Sequence, residues 1–328
     1  MTPANRKQVA GWLLLCATLV SLMVVVGGVT RLTHSGLSIV EWQPLVGAIP
    51  PLSDADWQAL FAKYRETPEF RLVNFGLDLA GFQRIFWWEY AHRLLGRLIG
   101  VVFCLPLVFF LLKKMLTPRL AWQLAAILLL GALQGALGWY MVQSGLVDDP
   151  RVSHFRLTAH LALALLIFAA ELWIALDLLF TNQNIDLKFL ALPFIVFTMA
   201  LSGGMVAGLR AGLAYNTFPL MNGNLVPPET LMLEPWWRNF LYNMAAVQLA
   251  HRALFWLLLL IVPCVCWKLR ANLSARLLAA VFVLQVSLGI ATLLLRVPIP
   301  LAAAHQAGAV LLFAAALWTA HQAARSAA

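Results

Sequence analysis

Charged residues are scarce in this chain. Asp, Glu, Lys and Arg make up 11% of its 328 residues, while 62% of the residues are hydrophobic. Soluble domains carry about 25% charged residues, so a soluble globular protein is excluded. The mean hydropathy is +0.82, and apolar runs near the length of about 20 residues that spans a bilayer recur along the whole sequence. The composition therefore predicts an integral membrane protein.

The apolar runs predict eight membrane spans. They lie near residues 11–30, 82–112, 118–141, 156–181, 188–209, 240–268, 274–296 and 299–323. Hydrocarbon offers no hydrogen-bonding partner to backbone N–H and C=O groups, so each span is predicted to be a helix. The predicted fold class is thus all-α, with eight transmembrane helices.

Cysteines are few, and none lies in an outer loop where an oxidising compartment would pair it. Cys16, Cys104, Cys264 and Cys266 all fall within predicted spans. The spacing of Cys264-Val-Cys266 does not match a CxxC redox motif. We interpret all four as small apolar packing residues.

The first apolar run lacks the features of a cleaved targeting segment. It follows Arg6 and Lys7, but it is too long for the apolar core of a signal peptide, and no clear small-residue cleavage site follows it. Nothing before it resembles a long Arg/Ser-rich transit peptide. We therefore expect a retained first helix, in a bacterial protein rather than an organellar precursor.

The net charge of +9 does not indicate nucleic-acid binding, because the basic residues are scattered at helix ends and form no continuous basic surface. Most acids lie at the opposite ends of the predicted helices. Five of the six lysines share one set of helix ends and short loops: Lys7, Lys113, Lys114, Lys188 and Lys268. By the positive-inside rule the lysine-rich side is cytoplasmic. We expect a multi-pass protein of the bacterial inner membrane with both termini in the cytoplasm.

The two halves of the chain repeat the same residues at matching positions. In order, Gly27-Gly28 matches Gly203-Gly204, Ser35-Gly36-Leu37 matches Ala211-Gly212-Leu213, His92-Arg93 matches His251-Arg252, and Leu133-Gln134 with Leu137-Gly138 matches Leu284-Gln285 with Leu288-Gly289. Four helices in each half then run in the same direction through the membrane, which makes a parallel repeat. The prediction is two pseudo-symmetric four-helix bundles, over residues 1–182 and 183–328.

Each half also carries an outer loop. The larger one covers about residues 31–81 and belongs to the first half. Within it, the stretch from Ser53 to Arg65 predicts a short amphipathic helix that Ser53 caps. The second loop, about residues 210–239, is expected to cover its own bundle.

Four histidines lie a short way inside long apolar runs, near the outer ends of the second, fourth, sixth and eighth predicted helices. They are His92, His160, His251 and His305. A polar imidazole in a span is costly and usually marks a functional site. Two inward histidines at one depth on facing helices supply two axial ligands to a heme iron. The alternative is a histidine that bonds a backbone carbonyl, but four in a repeated register favour ligands. Zinc is disfavoured because no third or fourth ligand recurs with each pair.

Glu89 distinguishes the two halves. It lies three residues before His92 and so shares a helix face with it, whereas the second half has Gln248 at that place, which cannot ionise. A carboxylate beside one pair suggests chemistry in the first bundle and electron storage in the second, with Glu89 accepting or delivering protons. The alternative is a structural glutamate paired with Arg93 or Arg97.

Other polar residues are assigned simpler roles. His34, His154 and His321 have no counterpart in the other half and are expected to be ordinary exposed histidines. Glu171 is expected to pair within its bundle. Some of the arginines at the outer helix ends are expected to bind heme propionates, since Arg pairs bidentately with carboxylates, but none is singled out.

At these residues the chain resembles the heme A synthases. The segments that carry the resemblance are Gly27–Leu37, Glu89–Arg97, Gly208–Gly212 with Tyr215–Pro219, His251-Arg252 and His305-Gln306. The resemblance covers nearly the whole chain, and Glu-x-x-His-Arg-x-x-Gly-Arg is a specific signature.

The resemblance implies a reaction and a set of site residues. The reaction is oxidation of the C8 methyl of heme O to the formyl of heme A, by successive hydroxylations with water as the oxygen source. Glu89 is implied as the catalytic carboxylate, His92 and His160 as ligands of the substrate heme, and His251 and His305 as ligands of a resident heme b. The first outer loop lacks the cysteine pair of some bacterial members, so the chain is similar to the proteobacterial and mitochondrial type.

Two other function classes stay open on the residues alone. A diheme b-type cytochrome that takes electrons from quinol is the main alternative, but a pure conductor needs no carboxylate at one site only. A heme carrier or channel would favour weaker ligation and a continuous polar path. Expected partners are heme O synthase, cytochrome oxidase assembly factors, an electron donor or acceptor, the lipid bilayer and a second copy of the chain, but no nucleic acid.

Overall fold

The computed structural model describes residues 1–43, 46–180 and 190–326, and in these ranges the regular structure is almost entirely helical. The α-helices are α1 (Pro3–Leu32), α2 (Asp54–Arg65), α3 (Pro68–Leu72), α4 (Leu79–Leu112), α5 (Pro118–Gln143), α6 (His154–Leu179), α7 (Ala191–Gly208), α8 (Asn239–Tyr242), α9 (Met244–Lys268), α10 (Leu273–Leu294) and α11 (Ile299–Ser326). Among the described residues, eight of them are long and apolar enough to cross a membrane: α1, α4, α5, α6, α7, α9, α10 and α11. The predicted all-α membrane fold is confirmed.

The predicted spans differ from the helices mainly at their ends. α1 begins at Pro3 rather than near residue 11, because a helix continues through polar residues that lie beyond the hydrocarbon. The sixth span was predicted from residue 240, but Asn243 interrupts the helix with an extended backbone and caps α9 by accepting from the N–H of Ala245 at 2.8 Å. Lys188 lies outside the described residues.

The larger outer loop contains the predicted capped helix. Ser53 accepts from the N–H of Asp56, and the Asp56 carboxylate accepts in return from the N–H of Ser53. These hydrogen bonds also lower the pKa of Asp56. An aromatic cluster of Tyr64, Phe82 and Phe86, with Trp57 packed against it, joins this helix to the start of α4. This packing holds the loop against the N-terminal part of α4, the helix that carries Glu89.

The chain forms two compact units. One contains residues Leu15–Ile167, and the other contains Thr2–Leu14 with the residues from Phe168 onward. Both divisions fall inside helices, α1 and α6, rather than at residue 182. The predicted assignment of a substrate site to residues 1–182 and a heme b site to residues 183–328 stays a prediction.

The first unit contains α4, α5 and parts of α1 and α6, and the second unit contains α7, α9, α10 and α11 with the remaining parts of α1 and α6. In the second unit, α7 packs against α9 and α11, and α10 packs against α9 and α11, which closes a four-helix bundle. In the first unit α4 packs against α5, the hydroxyl of Thr30 in α1 donates to the carbonyl of Trp88 in α4 at 3.3 Å, and Gln134 of α5 donates to the carbonyl of His160 in α6 at 3.0 Å.

Candidate functional site

Each of the four span histidines packs against a glycine of the preceding spanning helix. A Cβ built on that glycine would lie close to the ring: 3.0 Å for Gly27 and His92, 2.9 Å for Gly138 and His160, 3.4 Å for Gly203 and His251, and 2.8 Å for Gly289 and His305. The distances at Gly138 and Gly289 are too short for a side chain, the distance at Gly27 is tight, and the distance at Gly203 is at the edge of ordinary contact. The repeated glycines of the sequence thus make room for the repeated imidazoles.

The structure also brings the histidines together in the predicted pairs. His92 and His160 lie in the first compact unit, and His251 and His305 lie in the second. One pair thus lies in each compact unit, while the pairing as iron ligands and the role of each residue stay predictions.

The ring nitrogens differ in their partners. Nδ1 of His251 lies 2.7 Å from the hydroxyl oxygen of Ser202. Nδ1 of His160 and Nδ1 of His305 are buried and have no hydrogen-bonding partner among the described residues. Gln134 lies beside His160, with its amide nitrogen 3.4 Å from Nε2. The protein therefore leaves one buried nitrogen of each of these two rings without a partner, and a buried polar atom of this kind calls for an explanation such as a bound group.

Glu89 is buried, with 2% of its surface exposed, and both of its oxygens accept hydrogen bonds. Oε2 accepts from the hydroxyl of Ser38 at 2.7 Å and from the N–H of Ile39 at 2.8 Å. Oε1 accepts from Nη2 of Arg93 at 2.7 Å and from Nε at 3.0 Å. The ion pair with Arg93 is the structural arrangement that the sequence left open, so Glu89 anchors the outer loop whatever else it does.

Gln248, the counterpart of Glu89, faces a different group. Its amide donates to the carbonyl oxygen of Tyr215 at 3.2 Å, and its own oxygen is buried without a partner among the described residues. The first loop therefore presents donors to this position and the second loop presents an acceptor. The residue type matches its surroundings, because a carboxylate only accepts hydrogen bonds, whereas an amide can donate one to a carbonyl.

Arg93 and Arg252 occupy matching positions in the two halves, and each donates hydrogen bonds to backbone carbonyls of the outer loop of its own half. Arg93 donates to the carbonyls of Ile39 at 2.6 Å and Glu41 at 2.9 Å. Arg252 donates to four carbonyls of the second loop, those of Tyr215, Thr217, Pro219 and Leu220. Two arginines that were candidates for propionates are thus already directed at backbone oxygens.

The second outer loop carries a further polar contact. The Tyr215 hydroxyl donates to the Glu229 carboxylate. This hydrogen bond lowers the pKa of Glu229. Burial and the same carboxylate raise the pKa of Tyr215 to about 12. Tyr215 therefore stays protonated near neutral pH and ties two ends of the loop together.

The prediction for His321 is wrong. Only 3% of its surface is exposed, and Nε2 lies 2.9 Å from Oδ1 of Asp177. Its ring also packs against Trp173. Position near the chain end indicated exposure, but α11 continues to Ser326 and buries this face. His34 fits the prediction, with a side chain that is 46% exposed.

Glu171 is buried in α6, where it was expected to pair within its bundle. Only 1% of its surface is exposed. Oε2 has no hydrogen-bonding partner among the described residues. The expectation of pairing within the bundle is therefore not met at this atom.

Comparison with known proteins identifies the family. The model of the COX15-CtaA family, described as cytochrome oxidase assembly protein, matches residues 10–317. A heme A synthase of Nitrosospira multiformis is 56% identical, over 97% of this chain and 94% of that protein. The chain belongs to the heme A synthase family. Heme A synthases of Nitrosomonas eutropha and Parvibaculum lavamentivorans are 52% and 47% identical, over 96% and 99% of this chain and 93% and 96% of their own lengths.

Membership of the heme A synthase family confirms the resemblance drawn from the sequence and favours an enzyme over a pure electron conductor. Sequence reasoning missed one residue that touches a predicted ligand, Ser202. Its signal was present, because it directly precedes the repeated Gly203-Gly204, while the first half has Val26 before Gly27-Gly28.

The glycine contacts lead to a stability prediction. Replacing Gly138 with alanine is expected to destabilise the protein by about 1–3 kcal/mol, because the new methyl group overpacks against the His160 ring. Gly135 is the matched control on the same helix, since a Cβ there meets nothing within 4 Å. Alanine at 135 should be neutral or stabilising, because glycine costs a helix about 1 kcal/mol relative to alanine. Thermal unfolding in detergent measures both, and equal melting temperatures for the two variants would contradict the contact.

Proposed function

We propose that this protein makes heme A by oxidising the C8 methyl group of heme O to a formyl group within the membrane. The observation that carries the proposal is the repeated pair of glycine-backed imidazoles, of which one pair alone has a carboxylate on the same helix face. Family membership supports the same activity. The conversion of a methyl group and one water to a formyl group releases four protons and four electrons, so the reaction needs an electron acceptor and a proton outlet.

The residues of each unit fit a heme iron. Two imidazoles per unit match the axial ligand set of a bis-histidine heme. The Nδ1 atoms of His160 and His305 are buried and have no hydrogen-bonding partner among the described residues, which supports rings that are available to a ligand. The described residues contain no group of three or more His, Cys, Asp or Glu that would suit another metal ion. When bound, the hemes supply the redox chemistry.

We assign the substrate heme to His92 and His160 and the resident heme b to His251 and His305. Glu89 supports this division because it lies three residues from His92, whereas the second pair has the neutral Gln248 at the same place. A carboxylate near the substrate is suited to accept protons from the methyl group or from water. A neutral amide near the other pair is suited to a site that only stores and passes electrons.

The chain's own residues prepare the first site in two ways. Arg93 holds the Glu89 carboxylate in place and ties it to the loop through the carbonyl of Ile39. Ser38 and the N–H of Ile39 hold the other oxygen. These contacts fix the carboxylate at one depth, and burial of the loop contact keeps bulk water from this face.

We place the protein in the bacterial inner membrane with both termini in the cytoplasm. Eight apolar helices make it a multi-pass membrane protein. The lysines Lys7, Lys113, Lys114 and Lys268 lie at the ends of α1, α4 and α9 that this orientation puts in the cytoplasm, which follows the positive-inside rule. Heme O synthase, oxidase assembly factors and an electron acceptor are the proposed partners.

The test is heme analysis of the purified protein before and after incubation with heme O. We expect heme b in the protein as isolated, a bis-imidazole iron spectrum, and heme A among the extracted pigments after incubation with heme O and an electron acceptor. Heme b without any conversion of heme O would favour the electron-conducting cytochrome. Absence of bis-imidazole iron would remove the ligand assignments altogether.

A further inference from the structure

Among the described residues, Ser202 makes the closest polar contact to any of the four histidine rings. Its hydroxyl oxygen lies 2.7 Å from Nδ1 of His251 and 2.7 Å from the backbone carbonyl oxygen of Met199, three residues earlier in α7. Gly203, the next residue, is the glycine against which the same ring packs. One short stretch of α7 therefore sets both the position and the hydrogen bonding of this imidazole.

The two contacts of Ser202 determine which nitrogen of His251 carries the proton. A serine hydroxyl has one proton to donate, and a carbonyl oxygen can only accept. The hydroxyl proton therefore points to Met199, and a lone pair of the serine oxygen faces Nδ1. Nδ1 must then be the N–H donor, which leaves the lone pair on Nε2 free. His251 is held in the tautomer that a metal ligand through Nε2 requires.

The described residues of the first half provide no equivalent of this contact. The residue that precedes Gly27-Gly28 is Val26, which has no hydrogen-bonding group in its side chain. Nδ1 of His160, the other ring of the first pair, has no partner among the described residues. The halves thus differ at the hydrogen bonding of a predicted ligand as well as at Glu89.

We propose that Ser202 is a positioning residue that keeps one heme resident and lowers its potential. The inference rests on the proposed function, in which His251 binds heme b. A hydrogen bond from the distal N–H orients a ligating imidazole and raises its basicity, and loss of such a partner typically weakens metal binding by about 10–100-fold. A more basic ligand favours ferric iron. The first pair, His92 and His160, lacks this hydrogen bond. It is the pair assigned to the substrate heme, whose product must leave the protein.

The test compares three variants of the full-length protein in detergent. Ser202→Ala removes the hydroxyl, Ser202→Thr keeps it, and Val26→Ala changes the matching position of the first half without removing a polar group. The readouts are the midpoint potential of heme b by redox titration and the rate at which heme b is lost to a soluble heme-scavenging protein.

For Ser202→Ala we expect the ferric-to-ferrous equilibrium to shift about tenfold toward ferrous iron, which is about 59 mV for a one-electron couple, and heme b loss about 10–100-fold faster. Ser202→Thr and Val26→Ala should match the unmodified protein. A merely structural role would leave the potential unchanged, so an unaltered potential in Ser202→Ala, with heme b present, overturns this inference alone. Absence of heme b from the unmodified protein overturns the proposed function with it.

Discussion

A protein in which leucine replaces His251 is expected to contain almost no heme b. His251 lies in the same compact unit as His305, and each of the two rings packs against a glycine. Leucine has no lone pair to offer an iron. Leucine also leaves the Ser202 hydroxyl without its ring partner. The loss should be complete rather than partial, because a single remaining imidazole holds the heme from one side only.

Pyridine hemochrome analysis of the purified variant measures this loss against protein concentration. His34→Leu is the matched control, since His34 is an exposed histidine of the first outer loop whose nearest carboxylate, Glu69, is 3.7 Å away. The control should keep its heme b. Equal heme b in the two variants would show that His251 is not a ligand.

A protein in which glutamine replaces Glu89 is expected to keep its hemes but to form heme A at least about a hundredfold more slowly. Removal of a positioned general acid or base typically costs about 10²–10⁴-fold in rate. Glutamine has nearly the same shape, so the ligands His92 and His160 should stay in place. Extraction of the pigments and chromatography measure heme O and heme A directly.

A loss of activity in this variant has a second explanation, the loss of the hydrogen bonds by which Glu89 holds the outer loop. A further variant separates this effect from the loss of proton transfer. Glutamine would also disturb the loop, because its NH2 group faces donors from Ser38, Ile39 or Arg93. Ser38→Ala weakens the same loop contact but leaves the carboxylate and its ion pair. If Glu89 handles protons, Ser38→Ala should retain most activity. An equal loss in both variants would assign Glu89 to holding the loop.

The membrane fold could be predicted because burial in lipid depends on the composition and length of a segment, whatever its neighbours are. The prediction of span 118–141 against the helix Pro118–Gln143 shows how close such a local property comes. The capped helix after Ser53 was also predictable, since its cap involves residues three apart. The environment of His321 was not, because its partner Asp177 is 144 residues away in the chain.

The features of the candidate site also divide into those that the sequence predicts and those that only the packing of helices decides. The histidine register, the repeated glycines and the contrast of Glu89 with Gln248 are all visible in the sequence as matched positions. The sequence did not show that the glycines lie against the histidine rings, because that contact requires two helices to pack at one height.

Local pattern thus accounts for the eight helices and for the residue types placed near their outer ends. Packing accounts for the partners: Arg93 rather than Arg97 for Glu89, and Ser202 for His251. The free energy of transferring a segment into lipid is a sum over the residues of that segment alone. A hydrogen bond requires a particular distance and angle between atoms whose residues lie on different helices or loops. Such partners are set when the bundle closes.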